Sequence, residues 1–146
     1  MKSVVVLLAS FLLVQCASTS HNLKEDGVYE GRSCSVYTSE SYVGVTRVTI
    51  EKGKISKVDF QIVDTLKNEL FDANYDSHFP DSEVYRDQCH KDWRGVQHYP
   101  AQLIKKQNLQ DVDAVTGATW SYNLFVSSAE KALKKAATAK DSVSHH

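Results

Sequence analysis

Residues 113–119, Asp-Ala-Val-Thr-Gly-Ala-Thr, form the stretch whose residue types and spacing are best suited to chemistry. They place an acid, two hydroxyl groups and small residues directly before a segment with helical periodicity. The free amides and the positive dipole of a helix N-terminus favour a phosphate at such a position. Threonine hydroxyls can carry a covalent group, and Gly117 permits backbone conformations closed to other residues. The loop predicts a phosphate-presenting site, although Thr116 as an ordinary helix N-cap explains the same residues.

Other candidates for chemistry are weaker. The sequence has no Ser-His-Asp pattern, no paired-carboxylate signal and no P-loop. Cys89 and His90 are adjacent, but a c-type haem requires Cys-x-x-Cys-His, and a zinc site requires further ligands at short spacing. We interpret the scattered histidines as surface or half-buried side chains. With no catalytic constellation of its own, the chain would depend on a cofactor for any redox chemistry.

Two predicted helices flank the loop and must position it. Residues 98–107 read as a helix that accepts Pro100 in its first turn, with Tyr99, Leu103 and Ile104 on one side. Residues 119–137 read as a longer helix, because apolar residues recur at intervals of three and four. The predicted apolar positions of this longer helix are Leu124, Phe125, Ala129, Ala132, Leu133 and Ala136.

Strands are predicted in the first half of the chain. Residues 28–36 and 44–51 are strand candidates, and a second alternating run spans residues 55–62. Glu51-Lys52-Gly53-Lys54 reads as a hairpin turn with Gly53 at positive φ. Leu66, Leu70 and Phe71 have helical spacing, which favours a short helix, and residues 74–81 read as a loop. The predicted fold class is α+β, a small antiparallel sheet with a central hairpin packed against helices.

The motif at 113–119 resembles the flavinylation motif of the FMN-binding domain family, Asp-x-x-(Ser/Thr)-Gly-Ala-Thr. That family includes subunits of ion-pumping respiratory complexes and many small exported proteins. The resemblance covers roughly residues 26–136, and the hairpin is similar to the central hairpin of that fold. The flanking matches are Asp26-Gly27-Val28-Tyr29-Glu30-Gly31, Tyr99-Pro100-Ala101-Gln102-Leu103-Ile104, Gln107, Val112, and Ser121 through Ala132-Leu133.

The resemblance implies a covalent cofactor. In the family, a separate magnesium-dependent flavin transferase moves FMN from FAD onto the last threonine of the motif, which is Thr119 here, through a phosphoester. Asp113 is then expected to act in recognition by the transferase, with a structural turn-capping role as the alternative. Thr116 is the weaker candidate acceptor, Gly117 and Ala118 keep the loop accessible, and Ser121 is expected to hydrogen-bond the phosphate.

The flavin ring would need an apolar or flat surface, and four aromatic residues are candidates to stack against it. Trp120, next to the anchor, has the best claim; the others are Trp93, Tyr99 and Tyr122. The resemblance then implies an electron-transfer module that passes electrons to a redox partner in the cell envelope. Two alternatives stay open: a binding lipoprotein without covalent flavin, and a flavin-dependent reductase of a small substrate.

Length and charge narrow the classes of protein. A chain of 146 residues predicts one domain, large enough to bury its own core. Its 17 basic and 18 acidic residues are nearly balanced, and no nucleic-acid-binding motif occurs. We therefore expect no nucleic-acid partner.

The N-terminal residues predict export. Lys2 supplies a positive n-region, and residues 4–14 form an apolar stretch too short to span a bilayer, so residues 1–20 read as a signal peptide. Leu13-Val14-Gln15-Cys16 resembles a bacterial lipobox, although Gln15 departs from its usual small residue. Lipidation of Cys16, with a membrane anchor, and cleavage further on both stay open. Residues 21–25 then form a tether, 26–137 the domain and 138–146 a disordered polar tail.

Two cysteines remain after processing, Cys34 and Cys89. In an oxidising compartment they could pair and close a long loop, which the chain-entropy model credits with roughly 4 kcal/mol. Two unrelated thiols explain the sequence equally well, because the distance between them cannot be read from it.

Overall fold

The computed structural model describes residues 25–34 and 40–143, with side chains up to residue 139. The predicted signal peptide, the lipidation site Cys16 and residues 21–24 of the tether lie outside these residues. Among the described helices, none combines the length and the apolar character that a membrane span requires.

A four-stranded antiparallel sheet forms one layer. Its strands, in spatial order, are β1 (Gly27–Arg32), β2 (Tyr42–Glu51), β3 (Lys54–Asp64) and β4 (Glu69–Leu70). The predicted hairpin joins β2 to β3, with Lys52 at φ 53° and Gly53 at φ 72°, as a tight turn matched to strand twist requires. The predicted α+β fold class is confirmed. The prediction of a short helix around Leu66 and Phe71 was wrong, because the chain turns there and Glu69–Leu70 pair with β3 as strand β4.

Two long helices cover the sheet: α1 (Glu83–Lys106) and α2 (Thr119–Val143). Residues 40–143 also contain two short 3-10 turns, Tyr75–His78 and Leu109–Asp111, and the first of them lies within the predicted loop 74–81. Helix α2 begins where predicted but continues beyond Ala137, so residues 138–143 of the predicted tail are helical.

Helix α1 begins much earlier than residue 98, and Pro100 lies inside it rather than in its first turn. Ser82 is the N-cap, and its side chain accepts a hydrogen bond from the Tyr85 amide. A proline in a helix interior costs about 3 kcal/mol, so packing must outweigh it. Buried residues recur along the whole helix at intervals of three and four and supply that packing: Cys89, Asp92, Val96, Tyr99 and Leu103.

Helix α2 lies directly on β1 and β2. Gly31 and Gly44 face its backbone, and a Cβ on Gly31 would stand 2.0 Å from the Ser128 carbonyl oxygen. The Thr46 and Ser128 hydroxyls, both buried, are 2.6 Å apart and join strand to helix. This close approach fixes the position of α2, and with it the loop that precedes the helix.

Cys34 and Cys89 are free thiols, so the structure does not form the disulfide that the sequence left open. The Cys34 sulfur lies 3.0 Å from Lys131 Nζ, whereas Cys89 is buried near Trp120. Lys131 and Trp120 both belong to α2 and are separated by about 16 Å at the rise of an α-helix. The two cysteines therefore lie at different places along α2.

Candidate functional site

Side chains of α1 hold the 113–119 loop in place through hydrogen bonds to its backbone. The buried Tyr99 hydroxyl donates to the Ala118 carbonyl at 2.9 Å and accepts from the Val115 amide at 3.3 Å. Gln88 Nε2 donates to the Gly117 carbonyl at 2.8 Å. The Val115 amide and the Gly117 carbonyl belong to the irregular loop and are satisfied in this way, whereas the Ala118 carbonyl also accepts from the Tyr122 amide of α2 at 3.1 Å. The loop conformation is thus set by α1 and not by the loop residues alone.

Asp113 is anchored by its backbone, which leaves its carboxylate exposed. Gln102 bonds both the amide and the carbonyl of Asp113, each at 3.0 Å. The Asp113 carboxylate instead pairs with Lys106 Nζ at 2.6 Å, and its side chain is 83% exposed. The expected alternative, a carboxylate that caps its own turn, is not what the structure contains.

The hydroxyls of the motif lie on the outside of this loop. Thr116, Gly117 and Thr119 are exposed, whereas Ala118 is fully buried. Gly117 has φ 78°, a conformation that favours glycine, and a Cβ there would stand 3.0 Å from Cδ of Lys91. Thr119 is the first residue of α2. Both threonines are therefore accessible, and only Thr119 belongs to the helix.

The N-terminus of α2 already holds a negative charge, supplied by Asp92 of α1. Asp92 is buried, and its Oδ1 accepts from the Ser121 amide at 3.1 Å and from the Ser121 hydroxyl at 2.8 Å. Its Oδ2 accepts from Gln88 Nε2 at 2.7 Å. Ser121 is fully buried and committed to Asp92, which corrects the expectation that its hydroxyl would meet a phosphate. Asp92 could not be predicted from the sequence, because Asp92 and Ser121 meet only when α1 packs on α2.

Replacing Asp92 by alanine is expected to destabilise the protein by about 3 kcal/mol, because the buried Ser121 amide loses its acceptor, and the Ser121 hydroxyl and Gln88 each lose one of two acceptors. Urea unfolding at pH 7 measures this change. Asp87→Ala is the matched control, because Asp87 lies on the same helix but its exposed carboxylate pairs only at the surface with Lys91. The control should change the free energy of unfolding by less than about 0.5 kcal/mol. Equal effects of the two substitutions would contradict a capping role for Asp92.

An aromatic cavity of about 380 Å³ opens beside the loop. Trp120, the residue after Thr119, forms one wall, and its indole Nε1 donates to Glu40 Oε2 at 2.8 Å. The volume falls within the range of about 300–1,000 Å³ found for ligand pockets. Hereafter the aromatic cavity means the space lined by Glu40, Tyr42, Phe71, Tyr75, Phe79, Tyr85, Gln88, Cys89, Asp92 and Trp120.

Of the four aromatic residues expected to stack on a ring, only Trp120 lines this cavity. Tyr99 is fully buried beneath the loop, and the Tyr122 hydroxyl donates to the Val112 carbonyl at 2.9 Å. Trp93 is half-buried and packs against the core. Sequence reasoning missed the other five aromatic residues of the cavity because they come from β2, the Phe71–Phe79 segment and the first turn of α1. Their aromatic character was visible, but their meeting point was not.

A larger groove of about 650 Å³ lies elsewhere, between the outer face of α2 and the Leu109–Asp111 turn. Its walls include Tyr122, Val126 and Leu133. Residues 113–119 line neither space, but the wall of the aromatic cavity contains Trp120, which follows Thr119, and Gln88, which bonds the Gly117 carbonyl. The aromatic cavity is therefore the one that adjoins the motif.

A hydrogen-bonded chain runs behind the aromatic cavity to the protein surface. The Tyr42 and Tyr75 hydroxyls are 2.9 Å apart, and the Tyr75 hydroxyl donates to Asp64 Oδ2 at 2.7 Å. Ser41 donates to Asp64 Oδ1 at 3.0 Å, and Lys67 Nζ lies 3.9 Å from Oδ2. Burial alone would raise the pKa of Asp64, but hydrogen bonds from Tyr75, the Lys67 amide and Ser41 hold it below its usual range. Burial raises the pKa of Tyr75 and of the Cys89 thiol.

Asp64 is expected to make stability depend on acid pH. Because its pKa is lower in the folded than in the unfolded chain, its contribution is complete above the unfolded value of about 4 and is lost as pH falls through the folded value. The difference in unfolding free energy between wild type and Asp64→Asn should therefore shrink between about pH 5 and pH 2. Urea unfolding across that range measures it. Asp59→Asn, at an exposed position on the same strand, is the control and should change the free energy of unfolding by less than about 0.5 kcal/mol. A constant gap for Asp64→Asn would contradict the assignment.

The sequence matches the FMN-binding domain family over residues 42–134. The chain belongs to this family. Among solved structures, a crystal structure of a Clostridium perfringens protein is 26% identical, covers 80% of this chain and 92% of its own, and superposes with a TM-score of 0.59. A solution structure from Clostridium thermocellum is 22% identical, covers 77% of this chain and 92% of its own, and has a TM-score of 0.46. The comparison with curated proteins gave no match.

The geometry fits the cofactor that gives the family its name. A flavin has a flat, largely apolar ring system and a phosphate at the end of a flexible chain. The aromatic cavity offers six aromatic side chains for the ring, and the exposed loop at Gly117 and Thr119 lies next to Trp120 for the phosphate end. Both parts of FMN therefore have a matching surface in one region of the chain.

Proposed function

We propose that this protein carries FMN joined covalently to Thr119 through a phosphoester and acts as an electron-transfer module. The observation that carries the proposal is the position of the exposed Thr119, directly before Trp120 in the wall of the aromatic cavity. A hydroxyl at that point can anchor the phosphate while the ring enters the cavity. The family motif at 113–119 supports Thr119 over Thr116 as the anchor.

The exposed loop also suits modification by a second enzyme. A threonine hydroxyl is a weak nucleophile, so a flavin transferase that uses FAD and magnesium must reach it. The Thr119 oxygen would attack the FMN phosphorus of FAD, the pyrophosphate bond would break, AMP would leave, and a base of the transferase would take the hydroxyl proton. Gly117, whose carbonyl accepts a hydrogen bond from Gln88, adds no side chain of its own near Thr119. The N-terminal charge of α2 is already neutralised by Asp92, so we attribute retention of FMN to the covalent bond and not to the helix dipole.

The cavity supports electron exchange with a partner. Bound FMN would supply the redox chemistry, and the chain would bind the ring and set its surroundings. Tyr85, in the cavity wall, is 60% exposed, so a ring in the cavity would lie close to the protein surface. A redox partner could then exchange electrons without entering the fold. A small substrate could also reach the ring, which would allow a reductase activity. Substrate-dependent reoxidation of the flavin would reveal that activity.

The place of action that we propose is the cell envelope. The signal-like residues 1–20 support export, and Cys16 offers a lipid anchor to the membrane. Covalent attachment suits this setting, because a tethered cofactor is retained where free flavin is scarce.

The experiment is co-expression with an active flavin transferase, followed by intact mass measurement of the purified protein. We expect an increment equal to one FMN residue and flavin fluorescence that stays with the denatured chain. Co-expression with an inactive transferase is the control and should give neither. Unmodified, colourless protein from the active pair would overturn the proposal. Colour lost on denaturation would favour non-covalent binding.

Asp113→Asn is expected to reduce the modified fraction at least tenfold without weakening the fold. Among the residues that the structure describes, Lys106 alone pairs with this carboxylate, and exposed pairs contribute about 0–1 kcal/mol. The backbone bonds to Gln102 remain in the variant. Intact mass and urea unfolding measure the two effects, and Asp111→Asn is a nearby exposed control. An equally modified Asp113→Asn would contradict a recognition role for the acid.

A further inference from the structure

The hydroxyl chain behind the aromatic cavity has a fixed direction. Asp64 is ionised and accepts only, so the single Tyr75 proton must be given to its Oδ2, 2.7 Å away. Tyr42 must then donate to the Tyr75 oxygen, because no proton is left on Tyr75 for the 2.9 Å bond between them. The order of donation therefore runs from Tyr42 to Tyr75 to Asp64.

This order determines what each phenol can offer to a ligand. The Tyr75 oxygen donates to Asp64 and accepts from Tyr42, and Lys67 Nζ lies 3.4 Å away as a second donor. Its hydrogen-bonding capacity is complete. Tyr42 donates its only hydroxyl proton to Tyr75. Its oxygen can therefore accept a hydrogen bond from a ligand but cannot donate one. Tyr42 also lines the cavity and packs edge-on against Trp120, with ring centroids 5.1 Å apart.

Other polar groups of the cavity point to the same preference. Gln88 donates one Nε2 proton to Asp92 and the other to the Gly117 carbonyl, so only its amide oxygen remains to bind a ligand, as an acceptor. Asp92 contributes Oδ2, a carboxylate oxygen that accepts from Gln88 and keeps a second lone pair. The cavity wall is thus rich in acceptors, and a ligand that presents an N–H fits it better than one that presents only acceptors.

We propose that the Tyr42–Tyr75–Asp64 chain is a specificity device that presents the Tyr42 oxygen as an acceptor to a ring N–H of the bound cofactor. This rests on the proposed function, because it assumes that the flavin ring occupies the aromatic cavity. The pyrimidine edge of an oxidised flavin carries one N–H, at N3, between two carbonyl groups. Tyr42 is therefore a positioning residue that selects the ring edge facing it, with Asp64 acting through Tyr75.

The test uses full-length protein made without the transferase and two free ligands, riboflavin and 3-methylriboflavin. Quenching of flavin fluorescence gives both dissociation constants. One hydrogen bond accounts for up to about a tenfold difference, so wild type should bind riboflavin about tenfold more tightly than the methylated compound. Asp64→Asn and Tyr42→Phe should bring that ratio close to one, while Tyr29→Phe, on β1 and outside the cavity, should keep it.

The variants separate hydrogen bonding from shape. Asp64→Asn keeps the volume of the side chain but supplies an amide donor, so the order of donation is no longer imposed on Tyr42. A wild-type ratio of one, or a ratio unchanged in Asp64→Asn and Tyr42→Phe, would overturn the inference while riboflavin binding leaves the proposed function standing. Failure of wild type to bind riboflavin would overturn the inference, because the cavity would then not take the free ring. The proposed function is decided separately, by the intact mass of the protein after co-expression with the transferase. Should Tyr42→Phe not fold, the wild-type ratio and Asp64→Asn decide the matter.

Discussion

Thr119→Ala is expected to abolish covalent attachment of FMN completely, because the substitution removes the oxygen atom to which the phosphate would be joined. Loss of a single bond-forming atom gives an all-or-none result, unlike the graded effects of changes around it. Thr119 is exposed at the first position of α2, so the fold should tolerate alanine with a change of less than about 0.5 kcal/mol. Intact mass after co-expression with the transferase measures the modified fraction.

Two matched variants sharpen this result. Thr116→Ala removes the other exposed hydroxyl of the motif and should leave the modified fraction close to that of wild type. Thr119→Ser keeps a hydroxyl at the same place and should retain part of the modification. Persistence of the increment in Thr119→Ala, together with its loss in Thr116→Ala, would move the anchor to Thr116. If the mass increment persists in both variants, neither threonine of the motif is the required site of attachment.

The largest effect on stability is expected from Gly31→Ala, at about 3 kcal/mol or more. A Cβ at this position would stand 2.0 Å from the Ser128 carbonyl oxygen and 2.5 Å from the Ala132 amide nitrogen. Both are backbone atoms of α2, so no side chain can turn away, and the helix must move off the sheet. Overpacking of this kind costs typically 1–3 kcal/mol and more when the backbone is displaced.

Urea unfolding followed by circular dichroism measures the Gly31→Ala effect. Val28→Ala is the control on the same strand, because Val28 is 65% exposed and should change the free energy of unfolding by less than about 0.5 kcal/mol. Since α2 carries Thr119 and Trp120 at its start, a Gly31→Ala protein that still folds should also be modified less efficiently. A Gly31→Ala protein as stable as wild type would mean that α2 does not pack on β1 as described.

The sequence could predict the position of the loop but not the position of the aromatic cavity. The loop was predictable because its features are local: an acid, a glycine with φ 78°, two hydroxyls and the start of a helix follow one another in seven residues. The hairpin was predictable for the same reason, since its alternation and its turn glycine adjoin. Helix α1 was only partly predicted, because proline signals a boundary locally and only tertiary packing shows that the helix continues through Pro100.

The amino-acid sequence by itself determined the fold class, the family motif and the hydroxyl that we propose as the FMN anchor, because each depends on neighbours along the chain. Only the tertiary structure brought Tyr42, Tyr75 and Trp120 to one cavity and turned Asp92 toward the start of α2. The reason is physical: aromatic packing and buried hydrogen bonds act through space, and the residues that make them here are separated by tens of positions in the chain. The proposed anchor, Thr119, can therefore be predicted from the sequence. The surroundings that we propose for the flavin ring form only when α1, α2 and the sheet pack together.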